Sequence, residues 1–170
     1  RLRGHDACVW CLGVSQREVR AKEYERITFD YAVAAAGAFY DANPEGRFCF
    51  LSGRGADSSE KSRLRFARVK GKAENHLMRH FPRVYCFRPG YIRAVRGRPL
   101  LSLGRVTDAV AKRVANVAPD HVVGADDLAL AMLHVAKRGA LEQVLENAAI
   151  LALAAKARRG PAVADASTFL

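Results

Sequence analysis

Three short apolar runs recur roughly 40 residues apart: 7–12 (Ala-Cys-Val-Trp-Cys-Leu), 48–51 (Phe-Cys-Phe-Leu) and 84–87 (Val-Tyr-Cys-Phe). Each has the length of a strand, and each is apolar at successive positions, the pattern of a strand covered on both faces. Parallel neighbours can be joined only by a crossover of a dozen residues or more, and the intervals supply those crossovers. From residue 23, Tyr24, Ile27, Tyr31, Ala34, Ala35 and Ala38 recur at helical period, and Asn43-Pro44-Glu45-Gly46 stops that helix. A second, basic helix is expected over 59–79. The chain therefore reads as α/β, a doubly wound parallel sheet. Right-handed crossovers place the three runs side by side in chain order, from the sheet's middle outward.

Beyond residue 90 the periodic signals weaken. Residues 91–104 read as irregular and basic (Arg93, Arg96, Arg98), 106–117 as a short helix before Pro119, and His121-Val122-Val123 as a short extended piece. A helix to residue 136 follows, capped by Asp126 or its neighbour, with Leu128, Met132 and Val135 as its apolar stripe. Residues 143–145 suit a last strand and 147–157 a last helix. The Gly-, Pro- and small-residue-rich stretch 158–170 reads as a disordered tail, which leaves 1–157 as one domain.

Half of the 170 residues are apolar, enough for a core, and no run approaches a membrane span of about 18 residues. The net charge of +11 is concentrated: residues 61–117 hold 15 Lys/Arg and 2 Asp/Glu, and the remainder has a slight acidic excess. That field suits anionic partners such as nucleotide phosphates, acidic substrates or nucleic acid, and equally a solvated basic face. Cys8 and Cys11 have the spacing of a redox or zinc pair, but on a strand residues three apart point to opposite faces, and no second pair completes a zinc site. Cys8, Cys11, Cys49 and Cys86 all fall in strand-like runs and read as small buried apolar groups in a reducing cytoplasm. His76 and His80, four apart on one helix, have no third ligand in view and read as a surface pair. Asp126-Asp127 reads as capping.

The second run opens the most informative stretch, Phe48 to Lys72. A serine, Ser52, sits where the run ends; a glycine-bearing polar loop follows, then a helix on which Phe66 and Lys70 are one turn apart. This arrangement resembles the active-site segment of the short-chain dehydrogenase/reductase superfamily, a serine followed about a dozen residues later by Tyr-x-x-x-Lys, on a Rossmann-like fold. The loop Leu51-Ser52-Gly53-Arg54-Gly55-Ala56-Asp57 and the helix Arg68-Val69-Lys70-Gly71-Lys72-Ala73-Glu74 resemble most the atypical branch of NmrA-like and Tat-interacting-protein-like oxidoreductases. Residues 6–13, Phe87-Arg88-Pro89-Gly90-Tyr91-Ile92 and Val144-Leu145-Glu146-Asn147 extend the likeness over roughly 4–155.

The resemblance implies a bound NAD or NADP, with Ser52 hydrogen-bonded to a substrate carbonyl and Lys70 on the nicotinamide ribose. It implies that Pro89, Gly90, Tyr91 and Ile92 pack against the nicotinamide, and that Leu12 and Gly13 pass the adenosine ribose. One departure is chemical. The position of the family's tyrosine acid holds Phe66, which has no proton to give. The glycine-rich phosphate turn is also absent; in the family it lies upstream of the first run, so the chain reads as the carboxyl portion of a longer protein, lacking the amino-terminal strands. The leading expectation is an NAD(P)-binding protein without the usual acid, a cofactor sensor or weak oxidoreductase. Two alternatives stand beside it: an active oxidoreductase or epimerase on a small metabolite, using another phenol such as Tyr91 or Tyr31, and a basic nucleic-acid-binding module.

Overall fold

The structure, a computed structural model, describes residues 2–93 and 121–159. Strand β1 (Ala7–Trp10) leads into helix α1 (Ala21–Glu25), which continues through one π-helical turn (Arg26–Asp30) into α2 (Tyr31–Ala42). Then come β2 (Arg47–Leu51), α3 (Arg65–His80), β3 (Val84–Arg88), β4 (Tyr91–Arg93), β5 (Val122–Gly124), α4 (Ala125–Arg138), β6 (Val144–Glu146) and α5 (Asn147–Arg158). The main sheet has the order β1-β2-β3-β6, every pair parallel, and β4 and β5 form a separate parallel pair. The three expected runs are neighbours in chain order.

Period-two alternation splits the core. Phe48 and Phe50 face α2 and α3 with Val84 and Cys86; Cys49, Phe87 and Leu145 face α4 and α5 with Val135 and Ile150. Phe48, Phe50 and Phe87 are at most 1 % exposed, and burying a side chain of this size contributes about 1.5–3 kcal/mol each. Ala32 and Ala36, fully buried, let α2 lie close on the sheet. Asn43 ends that helix: its Nδ2 donates to the carbonyls of Phe39 and Leu2, while its Oδ1 accepts from Gly4 and His5 amides.

Several expected boundaries and environments shift. The first strand stops at Trp10 and is the outer strand of the sheet, with Val9 43 % exposed, not a strand covered on both sides. Cys11 lies past its end and is exposed, and Cys8 is half-buried; only Cys49 and Cys86 are buried thiols. The basic helix starts at Arg65, six residues later than expected. Upstream of it, the Asp57 carboxylate accepts from the amides of Ser59, Lys61 and Ser62 and from the Ser59 hydroxyl, a local alternative to helical hydrogen bonding. Residues 91–93 are a strand rather than irregular chain. Helix α4 begins after Gly124 with no side-chain cap; Asp126 and Asp127 lie in its first turn, where acidic groups suit the helix dipole, and Asp127 pairs with Arg158. The expected helix over 106–117, Arg96, Arg98 and residues 160–170 lie outside the described residues.

Candidate functional site

In a parallel sheet every strand delivers its last residue to the same edge, and that edge here collects Ser52 after β2, Arg88 at the end of β3 and Glu146 at the end of β6. The backbone stitches the strand ends together. Ser52 N–H donates to the Phe87 carbonyl (2.8 Å), and Arg54 N–H to that of Pro89 (2.9 Å). Ser52 is 6 % exposed, and its hydroxyl is buried with no hydrogen-bond partner among the described residues. A buried hydroxyl left unmade costs about 1–3 kcal/mol, so an unpartnered one at a strand end points to something it is kept for. The Trp10 indole N–H shares that condition, but it belongs to the aromatic packing around Phe48.

Lys70 reaches the same place from the helix. Its Nζ donates to the carbonyls of Ser52 (3.0 Å) and Leu51 (3.2 Å) and lies 5.6 Å from the centre of the Phe50 ring. An ammonium has three donors, and the third has no partner among the described residues. Burial pushes this amine down to about 8, against the pull of the Glu74 carboxylate and of Cys86, which favour the charged form. Phe66, one turn earlier, is half-buried against the loop: a side chain at Gly55, whose φ is +82°, would come within 3.4 Å of its ring. The Phe66 amide, at the open start of α3, donates to Oε1 of Gln16, which brings the loop after β1 to the head of the helix.

The segment after β3 is held from below. Gly90 N–H donates to Oδ1 of Asn147 (2.8 Å), whose Nδ2 faces the Val122 carbonyl. A Cβ at position 90 would meet the His121 carbonyl oxygen at 2.1 Å, so only glycine fits there. Tyr91 and Ile92 continue into β4, half-buried, paired with Val122 and Val123. Thus Ser52, Lys70, Pro89 and Gly90 are brought together. Leu12 and Gly13 follow β1 at the same edge but are exposed, and no packing contact demands glycine at 13. Tyr31 is exposed on α2 with Arg26 over its ring, and among the described residues no hydrogen bond joins Tyr31 or Tyr91 to Ser52 or Lys70. The rings of His76 and His80 stack at 4.1 Å, and His76 also packs edge-on to Phe29.

Sequence reasoning missed the charged scaffold under this edge. Glu74, one turn past Lys70, is fully buried, and the Arg88 guanidinium grips it: Nε stands 3.1 Å from each carboxylate oxygen and Nη2 bonds Oε2. Arg88 also reaches Glu146 (3.0 Å) and the Ser58 hydroxyl (2.8 Å). A lone acidic residue on an otherwise basic helix was the available signal. A groove of about 1140 Å³ lies elsewhere, between the carboxyl-terminal half of α4 and α5, with Arg47 and Tyr85 in its lining. Its lining combines leucines and alanines with Lys137, Arg138, Lys156, His134 and Glu142, and includes neither Ser52 nor Lys70.

No protein-family model matches this sequence, and no curated protein matches it. Among solved structures, the chain is similar to the UDP-N-acetylglucosamine 4-epimerase from Bacillus cereus, with a TM-score of 0.50 and 16 % identity. The likeness covers 86 % of this chain and 62 % of that one. At this identity it establishes the architecture: a Rossmann-like parallel α/β fold, as the order and register of the strands require. Among the described residues no helix is long and apolar enough to cross a membrane.

Proposed function

We propose that this is an NAD(P)-binding protein of the atypical short-chain dehydrogenase type, in which Phe66 replaces the tyrosine acid. The observation that carries the reading is the buried, unpartnered Ser52 hydroxyl set beside the Lys70 ammonium at the carboxyl edge of a parallel sheet, where open α/β folds bind ligands. Those two groups fit the ribose and nicotinamide end of a dinucleotide: one hydroxyl able to donate and accept, and one cation with a donor to spare. A nicotinamide, when bound, supplies or accepts hydride. Within the chain, Lys70 binds and orients, Ser52 fixes a carbonyl or hydroxyl oxygen, and the Phe66 ring excludes water from the lysine's face. Nothing at position 66 can protonate a developing alkoxide, so binding is expected with little turnover.

Fluorescence titration with NADH and with NADPH tests the first half, and Lys70→Ala is expected to weaken whichever binds. Phe66→Tyr tests the second. A phenol one turn before Lys70 is expected to raise reduction of aldehydes or ketones by about 10²–10⁴-fold, the usual contribution of general acid catalysis, with little change in cofactor affinity. Absence of binding to either dinucleotide overturns the reading. Robust wild-type turnover that Phe66→Tyr leaves unchanged would favour an active oxidoreductase or epimerase, with Tyr91, which directly follows Gly90, as the acid to replace by Phe.

A further inference from the structure

Arg88 touches more of the candidate site's supports than any other side chain described. Its backbone ends β3 and leads into Pro89 and Gly90. Its guanidinium holds Glu74 on α3, Glu146 at the end of β6 and Ser58 in the loop that begins with Ser52. Glu146 is followed directly by Asn147, which holds Gly90. The arginine side chain is 12 % exposed and that of Glu74 fully buried, so this contact is screened far less than a surface pair. Glu74 in turn lies one helical turn beyond Lys70, on the same face of α3.

We propose that Arg88 and Glu74 are a positioning pair for Lys70: Glu74 keeps the lysine amine protonated at the strand-end edge, and Arg88 holds Glu74 far enough from that amine to leave a donor free for a ligand. This rests on the reading of Lys70 as a ligand-binding group, but the charge state of Lys70 can be measured without any ligand. The ionisable groups acting on the amine are Glu74 from its own helix and Cys86 from β3. Burial pushes the Cys86 thiol up, which keeps it neutral near pH 7 and leaves Glu74 as the counter-charge. Arg88 and Glu146 act on Lys70 through Glu74. The remaining neighbours are the neutral carbonyls of Leu51 and Ser52 and the Phe50 ring.

The pair makes opposite demands on Lys70 when broken from its two sides, which a purely structural role does not. Glu74→Gln preserves shape but removes the negative charge and leaves the Arg88 cation nearby, so the amine should lose its proton about one pH unit lower than in the wild type. Arg88→Gln frees the carboxylate to turn onto Lys70, so the amine should titrate higher. Carbon-13 NMR of the Lys70 Cε in the labelled full chain, assigned with Lys70→Arg, reads both shifts directly. NADH affinity read across pH 6–9 is the second measurement. In Glu74→Gln it should fall off about one pH unit earlier than in the wild type, yet agree with the wild type at pH 6. A Lys70 titration that moves in neither variant, or in the same direction in both, overturns the proposal. So does an NADH affinity lowered equally at every pH in Glu74→Gln. If the wild type binds no NADH while the Lys70 titrations shift as expected, the pair stands and the dinucleotide reading fails. Should Arg88→Gln not fold, the Glu74→Gln titration decides alone.

Discussion

Strand β3 is flanked by two arginines, each paired with a glutamate, and water separates their roles. Arg83, just before the strand, meets Glu45 at 2.6 Å with side chains 43 % and 83 % exposed, and it also donates to the Glu45 carbonyl. Arg88, at the other end, meets Glu74 with side chains 12 % and 0 % exposed. The residue types and charges are the same. In water the attraction between two such groups is mostly offset by solvent and by side-chain entropy, leaving about 0–1 kcal/mol. In the interior both ions have surrendered their hydration, and breaking such a pair by removing one partner typically costs about 3–5 kcal/mol. The buried pair is therefore a commitment more than a gain, because well-packed apolar residues in its place are often no less stable.

Breaking the two pairs separately should expose this difference. Arg88→Ala is expected to lower unfolding stability by about 3–5 kcal/mol in urea titrations, whereas removing both charges together, as Arg88→Met with Glu74→Leu, should recover most of that loss. The next effect belongs to Lys70. Its amine titrates near 8 when folded and near the ordinary 10.5 when unfolded, so between those values the unfolded chain holds the extra proton. Stability then rises with pH across that window and carries the buried-charge penalty below it. Relative to Lys70→Met at each pH, the wild type should gain up to about 3 kcal/mol from pH 8 to 10.5. The comparison cancels the ionisation of Cys49, Cys86 and Tyr40, which are common to both proteins. The smallest effect should come from Arg83→Ala, no more than about 1 kcal/mol and vanishing in 1 M salt. A loss at Arg83 as large as that at Arg88 would break the comparison.

The strands and their order were legible because the runs have strand length and the intervals between them are long enough for crossover helices. Successive apolar positions also recorded two covered faces at 48–51 and 84–87, but not at 7–12, where Val9 is exposed. Ser52, Pro89 and Gly90 at one edge followed from parallel strands ending together, whereas Lys70 followed from its place one turn after Phe66 and from the family resemblance. What the pattern does not record is competition and distant partners. Asp57 gathers the amides of Ser59, Lys61 and Ser62 and the Ser59 hydroxyl into a local turn, and the helix begins only at Arg65. Cys11 looked like strand interior because its neighbours are apolar, yet pairing with β2 stops at Trp10, opposite Phe50. Glu74 could be noticed as an odd charge on a basic helix, but its partner lies 14 residues away on another element. Asn147 looked like a helix start and serves also as the anchor of Gly90.

Gly71 carries one more consequence. A Cβ there would sit 1.8 Å from the Asp57 carbonyl oxygen, so the serine loop rests on bare helix backbone, and Asp57 N–H bonds the Ala67 carbonyl one turn earlier. A flap that opens for a ligand needs a hinge and a face it can leave cheaply. This loop is pressed against α3 through main-chain atoms, latched by Asn75 to Ser58 and Glu60, and clamped by Arg88. It is masonry rather than a door: passage to Ser52 has to come from the strand ends facing it, and variation at position 71 is closed to any residue larger than glycine.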